Sequence, residues 1–347
     1  MSQENPCISL KKRLCCILCR KGMPFSVMGD FPLKAIISNV ITGLIVAAGL
    51  VLSLLGGIRL SAVQQGTLLI LAIICAFSAA YCFLAGQLSG NTSQMDKLWS
   101  ILPIVYAWVI AIRGGLTLRL TVIAVLITLW GIRLTYNFSL KGAYTLPIWA
   151  GREDYRWQVL RQHKILGKPV IWALFNLLFI SLYQNALVLA ICLPALAVMD
   201  SPAPFGIPDA VAAVLMLGFL VLETVADRQQ WLFHSKKKEL LGSDGSLASL
   251  PLPYSRGFNP TGLWAYSRHP NYFAEQAFWL SLCLVTLGKG ISHMAVFHWS
   301  FAGALLLVLL FMGSSAFGES VSARKYPEYA TYQSKVSKYV PFRKYCP

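Results

Sequence analysis

Gly262 to Glu275 bring together aromatic rings (Trp264, Tyr266 and Tyr272 among them), a guanidinium (Arg268), an imidazole (His269), an amide (Asn271) and a carboxylate (Glu275). Pro270 is preorganised for a helix start. Asn271 and Glu275, at i and i+4, therefore share a face of the first turns. Arg268 and His269 stand just outside that start, where a helix N-terminus draws an anion such as phosphate. The rings suit stacking on a planar ligand; each alone also suits an interfacial aromatic belt. The string as a whole reads as a ligand site.

Two further stretches have the same character. In Trp130-Gly131-Ile132-Arg133-Leu134-Thr135-Tyr136-Asn137, helical spacing puts Trp130, Arg133 and Asn137 on one face. A charge inside an apolar helix is expensive and faces protein or water. Arg133 suits an anionic group with Asn137 as hydrogen-bond partner, or else snorkels at the helix end. In Glu223-Thr224-Val225-Ala226-Asp227-Arg228-Gln229-Gln230, the residues Glu223, Asp227 and Gln230 share a face. Carboxylates at i and i+4 repel, so they need hydroxyl, amide or cationic partners. Ribose hydroxyls, a nucleobase amine or neighbouring arginines would serve.

Together these faces offer cations for phosphates, acids for ribose and aromatic surfaces for rings, which is what a dinucleotide cofactor requires. No Gly-x-Gly-x-x-Gly or Walker loop competes. The histidines at 163, 234, 269, 293 and 298 form no paired ligand motif, so no metal is expected. The loop around Arg152, Glu153, Asp154, Tyr155, Arg156, Trp157, Arg161 and His163 either covers the site or lies on lipid headgroups. The aromatic tail from Arg324 through Tyr326, Tyr329 and Tyr332 to Pro341 is expected to fold back onto the same side.

The elements that must position these faces are membrane helices. Of 347 residues, 56% are hydrophobic and 13% charged, with a mean hydropathy of +0.60. A soluble domain carries about 25% charged residues. Apolar runs near the ~20 residues that cross a bilayer predict an all-α, polytopic bundle of about eight spans. These fall near 35–55, 65–86, 98–112, 116–138, 169–198, 208–231, 271–288 and 291–313. The net charge of +16 follows topology rather than a nucleic-acid partner. Bases crowd the N-terminus, the 139–168 loop, the 228–268 region and the tail. The opposite side has only Arg59, Arg113, Arg119 and Lys289. The positive-inside rule then makes both termini cytosolic. Residues 1–34 read as a basic cytosolic arm with Cys7, Cys15, Cys16 and Cys19, reduced there and either palmitoylated or unmodified. Residues 35–347 read as a single membrane domain, integral and multi-pass.

The chain resembles the DUF1295 group within the steroid 5-alpha-reductase and sterol-reductase superfamily. The resemblance covers roughly residues 95–347. It is carried by Trp130-Gly-x-Arg133-x-x-Tyr136-Asn137, Asp154-Tyr155-Arg156-Trp157, Glu223-x-x-Ala226-Asp227-x-Gln229, Gly262-Leu-Trp264-x-Tyr266-Ser-Arg268-His269-Pro270-Asn271-Tyr272-Phe-x-Glu275 and Lys325-Tyr326-Pro327-x-Tyr329-x-x-Tyr332. It implies a helical membrane reductase that takes NADPH from the cytosol and reduces a carbon–carbon double bond in a steroid-like or other lipid substrate. Asn271 and Glu275 would then meet the nicotinamide end, and Glu223 and Asp227 the adenosine end. Arg133, Arg268 and Tyr266 would meet phosphate or ribose, with Asn137, His269 and Tyr272 beside them. The Tyr and acid that polarise an enone in steroid reductases have no clear counterpart: Trp130 stands where a Tyr is expected. Tyr106 and Tyr136 are the candidate proton donors, with Asp96 as a further substitute. The Arg-His-Pro-x-Tyr string also occurs in related membrane methyltransferases. An S-adenosylmethionine enzyme is therefore one alternative, and a non-enzymatic lipid-binding protein another.

Overall fold

A capping box starts the first well-bounded helix. The Ser61 side chain accepts from the Gln64 backbone while Gln64 reaches back, and Gly90, left-handed at φ 69°, ends it. Between them Ala62–Ser89 buries Leu71, Ala79, Cys82 and Gly86 on one side. The other side exposes Leu69, Ile73, Phe77, Leu84 and Leu88, with Phe77 at 75% and Leu88 at 87%. A helix apolar all round, with one side uncovered by protein, is built for lipid.

In this computed structural model, residues 33–55, 58–242, 245–287 and 298–342 are described. The chain divides into two units, Met1–Thr42 and Gly43–Pro347. Of the first, only the opening turns of α1 (Leu33–Leu55) fall among the described residues. The second holds α2 (Ala62–Ser89), α3 (Gln94–Leu98), α4 (Leu102–Arg113), α5 (Leu118–Ser139) and α6 (Tyr155–Arg161). It continues with α7 (Pro169–Ala190), α8 (Leu193–Ala197), α9 (Ile207–Leu241), α10 (Pro270–Leu282), α11 (Ala302–Lys325) and α12 (Tyr329–Lys335). No strand occurs among the described residues; Ser267 and Ser337 form one isolated parallel bridge. The cysteine-bearing arm up to residue 32, the Ser243–Asp244 turn and the 291–297 start of the last expected span lie outside the described residues.

Among the described residues five helices are long and apolar enough to cross a membrane: α2, α5, α7, α9 and the segment Trp299–Lys325 that contains α11. Two of the expected spans are shorter among the described residues. The 98–112 run folds as α4, 12 residues, about 18 Å at 1.5 Å per residue; Gly114 and Gly115 then turn the chain into α5. The 271–288 run folds as α10, 13 residues, followed by a 3₁₀ turn over Cys283–Thr286. α7 contains a π-helical stretch, Asn176–Tyr183.

Close packing aligns the helices that matter. A Cβ on Gly131 of α5 would lie 2.4 Å from the Ser100 carbonyl, so only glycine allows that approach. At the α5–α10 contact Trp130 meets Trp279 edge-on at 5.0 Å and stacks on Phe278 at 6.1 Å, all three fully buried. At the far end of the same helices, Arg119 of α5 pairs with Asp209 of α9 at 2.9 Å and donates to the Ala203 and Pro204 carbonyls. α5 and α9 are thus fixed at one end, and α5 and α10 through their aromatic contact. Their other ends meet at the candidate site.

Candidate functional site

α5, α9 and α10 each contribute one polar face. Arg133 of α5 contacts Asp227 of α9 at 2.6 Å and Glu223 of α9 at 2.7 Å, with Glu275 of α10 at 3.8 Å. Asn137 donates to Asp227 Oδ2 at 2.9 Å, and Asn271 donates to Oδ1 of the same carboxylate at 3.0 Å. Glu275 accepts from the Trp130 indole at 2.8 Å and from the Trp279 indole at 3.2 Å. The i, i+4 spacings therefore bring Arg133, Asn137, Glu223, Asp227, Asn271 and Glu275 into one network.

The network is incomplete within the chain. Arg133 Nε, Glu223 Oε2, Asn271 Oδ1 and Gln230 Oε1 are buried and have no hydrogen-bond partner among the described residues. One guanidinium faces three carboxylates. Buried polar groups are almost always bonded, and buried charges are paired. The unpartnered atoms include donors, Arg133 Nε and Nη2, as well as acceptors, Asn271 Oδ1 and Gln230 Oε1, so a partner would need both N–H or O–H groups and acceptor oxygens. Arg133 is engaged by Glu223 and Asp227 through its two terminal nitrogens.

Arg268 and His269 belong to a second cluster. Glu319 of α11 accepts from Arg268 Nε at 2.6 Å, from His269 Nε2 at 2.9 Å and from Gln333 of α12 at 2.8 Å. Arg268 also donates to the carbonyls of Gln333 and Val336, at 2.7 and 2.5 Å. The His269 ring stacks on Tyr272 at 5.2 Å. Burial pushes the imidazole below its usual range, with the Glu319 contact opposing. The Tyr332 hydroxyl donates to the Trp264 carbonyl, and Phe258 packs against Tyr329 and Tyr332. The tail thus folds back as expected, and Arg268 and His269 fasten it. Spacing did not single out Glu319; the signal available was a lone carboxylate at the end of an apolar span.

The candidate proton donors separate. Tyr136 is 60% exposed and stands outside the Arg133 network. Tyr106 is fully buried on α4, its hydroxyl without a hydrogen-bonding N or O among the described residues, facing Cys75, Cys82 and Cys192. Tyr266 is partly exposed and joins neither cluster through its side chain. Asp96 joins the loop instead: it accepts from the Trp157 indole at 2.8 Å and faces Arg156 at 3.8 Å. Burial raises its pKa, against the pull of Arg156. Burial would also raise Asp154, but Arg156 at 2.8 Å outweighs it and holds that carboxyl low. Among the described residues no group of three His, Cys, Asp or Glu side chains could hold a metal ion.

Residues 82–336 match the family model described as "Protein of unknown function (DUF1295)". An uncharacterized protein of Schizosaccharomyces pombe is 37% identical over 261 residues, 72% of this chain and 73% of that protein. No solved structure matches the chain. The matched region contains the Arg133 network and the Arg268–Glu319 cluster, and the chain belongs to the DUF1295 family.

Proposed function

We propose that the protein is a multi-pass membrane reductase that uses NADPH to reduce a carbon–carbon double bond in a lipophilic, sterol-like or other lipid substrate. The resemblance to steroid and sterol reductases, carried by the motifs around Arg133, Glu223 and Arg268–Glu275, suggests the reaction. The observation that carries the reading is the unsatisfied Arg133 network. Asn271 Oδ1 and Gln230 Oε1 are acceptors without a hydrogen-bond partner among the described residues, which suits a carboxamide and ribose hydroxyls. The fit differs for phosphate. Arg133 and Arg268 are held by carboxylates, so the phosphates would meet other cations. Lys141, Lys237 and Lys325 surround His234, one turn beyond Gln230.

NADPH, when bound, supplies a hydride to one carbon of the double bond. The chain's share is to orient the cofactor through Asn271, Glu275, Glu223 and Asp227, and to deliver a proton to the other carbon. Tyr106, the buried phenol among the candidates, is the better proton donor; Tyr136 is too exposed to serve behind Arg133. In this reading the cofactor side and both termini are cytosolic, as the basic loops favour under the positive-inside rule, and the bundle has about eight spans.

The test is thermal unfolding of the purified protein in detergent with NADPH, NADH and S-adenosylmethionine in parallel. At about a hundredfold excess over Kd, a ligand of the folded state stabilises by about 2.7 kcal/mol. A shift with NADPH is expected. A shift with S-adenosylmethionine and none with NADPH would replace the reductase by a methyltransferase.

A further inference from the structure

The loop between α5 and α6 ends in an apolar tip that is displayed with unusual rigidity. Leu146 is 91% exposed, and Ile148 and Trp149 are more than half exposed. Four successive carbonyls behind that tip are held by side chains of the 91–97 segment. Lys97 Nζ donates to Ile148 and Ala150 at 2.9 and 2.5 Å, Gln94 Nε2 to Trp149 at 2.9 Å, and Asn91 Nδ2 to Gly151 at 3.1 Å. Lys97, Gln94 and Asn91 are all buried. A buried lysine is costly unless fully bonded, and here its bonding fixes a backbone whose apolar side chains point away from the protein. Apolar side chains on a pinned backbone need a partner outside the chain.

Beside this tip lies a groove of about 500 Å³, lined by Tyr81, Leu84, Ala85, Leu88, Ser89 and Trp149. That is within the range of small-molecule sites. Its floor is the last turns of α2, on the face that carries Leu69, Ile73 and Phe77 out towards lipid. The groove is therefore continuous with the surface of a helix long enough to cross the membrane. Its surroundings are basic. Arg152 is exposed at the loop stem, where its N–H binds the Gly142 carbonyl. Arg161 reaches the Gly90 carbonyl at the end of α2 and pairs with Glu153 at 2.9 Å, and the exposed Lys164 and Lys168 follow it in the chain, Lys168 at the N-cap position of α7. An acyl chain fits the walls, and an anionic headgroup fits the rim.

We propose that this groove seats one acyl chain of an anionic phospholipid, with Trp149 closing over it and Arg152, Lys164 and Lys168 holding the headgroup. The site is independent of the reductase reading. The test uses the full chain in nanodiscs of phosphatidylcholine containing a photoactivatable acyl-chain probe, on phosphatidylserine in one arm and phosphatidylcholine in the other. Adducts mapped by mass spectrometry are expected to concentrate on Leu84–Ser89 and Trp149, several-fold above those at Phe77, and more with phosphatidylserine. Ala85→Trp, which fills the groove from a partly exposed position, should abolish the groove adducts and leave those at Phe77. Arg152→Glu with Lys164→Glu should erase the headgroup preference without touching the walls, which covers the case in which Ala85→Trp fails to fold. Even labelling of Leu69, Ile73, Phe77 and Leu88, equal labelling by both headgroups, or chain-to-chain adducts at Trp149 would each overturn the proposal. The last would make a second copy the occupant.

Discussion

Arg133 and Arg268 both sit among carboxylates near helix ends, and their surroundings differ in one respect. Around Arg268 every nitrogen finds an acceptor: one carboxylate, Glu319, receives a guanidinium, an imidazole and an amide, and two backbone carbonyls take the Nη1 hydrogens. Around Arg133 that is not so. Three carboxylates share one guanidinium, and Arg133 Nε and Nη2, Glu223 Oε2 and Asn271 Oδ1 are buried with no hydrogen-bond partner among the described residues. A matched cluster fastens two segments together. An unmatched one is organised for something that is not part of the chain. Similar residue types, read singly, would have been assigned the same role.

Arg133→Ala tests the contrast hardest. It leaves Glu223, Asp227 and Glu275 buried without their cation, and breaking a buried pair costs about 3–5 kcal/mol. A large fall in unfolding temperature is expected in detergent, partly recovered by adding Asp227→Asn. An unchanged transition would mean that the three carboxylates find other partners.

Arg268→Ala should cost about 3 kcal/mol, confined to the tail. Glu319 keeps His269 and Gln333, but the link to the carbonyls of Gln333 and Val336 is lost. Protease should cut between residues 326 and 340 in the variant and spare the parent. NADPH protection should fall less than in the Asn271 variant below. Equal falls would make Arg268 part of the cofactor site and erase the distinction.

Asn271→Ala removes an acceptor that has no hydrogen-bond partner among the described residues and one hydrogen bond to Asp227. Stability should change by about 1 kcal/mol. NADPH binding should weaken by about 1–3 kcal/mol, five- to 150-fold in Kd at 1.4 kcal/mol per tenfold. Titration by thermal shift reads both quantities. Weakened stability with unchanged affinity would remove Asn271 from the site.

The halves of this contrast were unequally legible in the sequence. Helical periodicity fixes which residues share a face, so Arg133 with Asn137, Glu223 with Asp227 and Asn271 with Glu275 could be grouped before any fold was known. It says nothing about which face meets which. Arg268 and His269 therefore suggested an open phosphate site, because Glu319, the carboxylate that takes both, lies some 50 residues on. Periodicity likewise does not say how exposed Tyr136 is, and at 60% exposure it stands outside the Arg133 network. Long apolar runs were legible as helices, but their lengths were not. α4 stops where Gly114 and Gly115 turn the chain, and α10 tightens into a 3₁₀ turn at Cys283. The tail's return was legible from its tyrosines, since rings as large as Tyr329 and Tyr332 need burial.

The smallest expected effect is also the most specific to the fastening cluster. His269 is enclosed by Glu319, Arg268, Lys338, Tyr272 and Tyr339. Burial lowers its pKa, with Glu319 only partly offsetting this. The undocked tail therefore binds a proton before the docked one does. Stability then rises with pH wherever the undocked state holds more protons. The His269 contribution is complete above the ordinary imidazole value of about 6.5 and is lost as pH falls towards the lowered, docked value. Proteolysis of the 326–340 segment should thus accelerate on going from about pH 8 to about pH 5.5, a window set by that imidazole value. His269→Gln should flatten the profile, because a neutral amide keeps a donor for Glu319 without a titration. A parent profile that is already flat, or one steeper at higher pH, would show that His269 does not govern the docking.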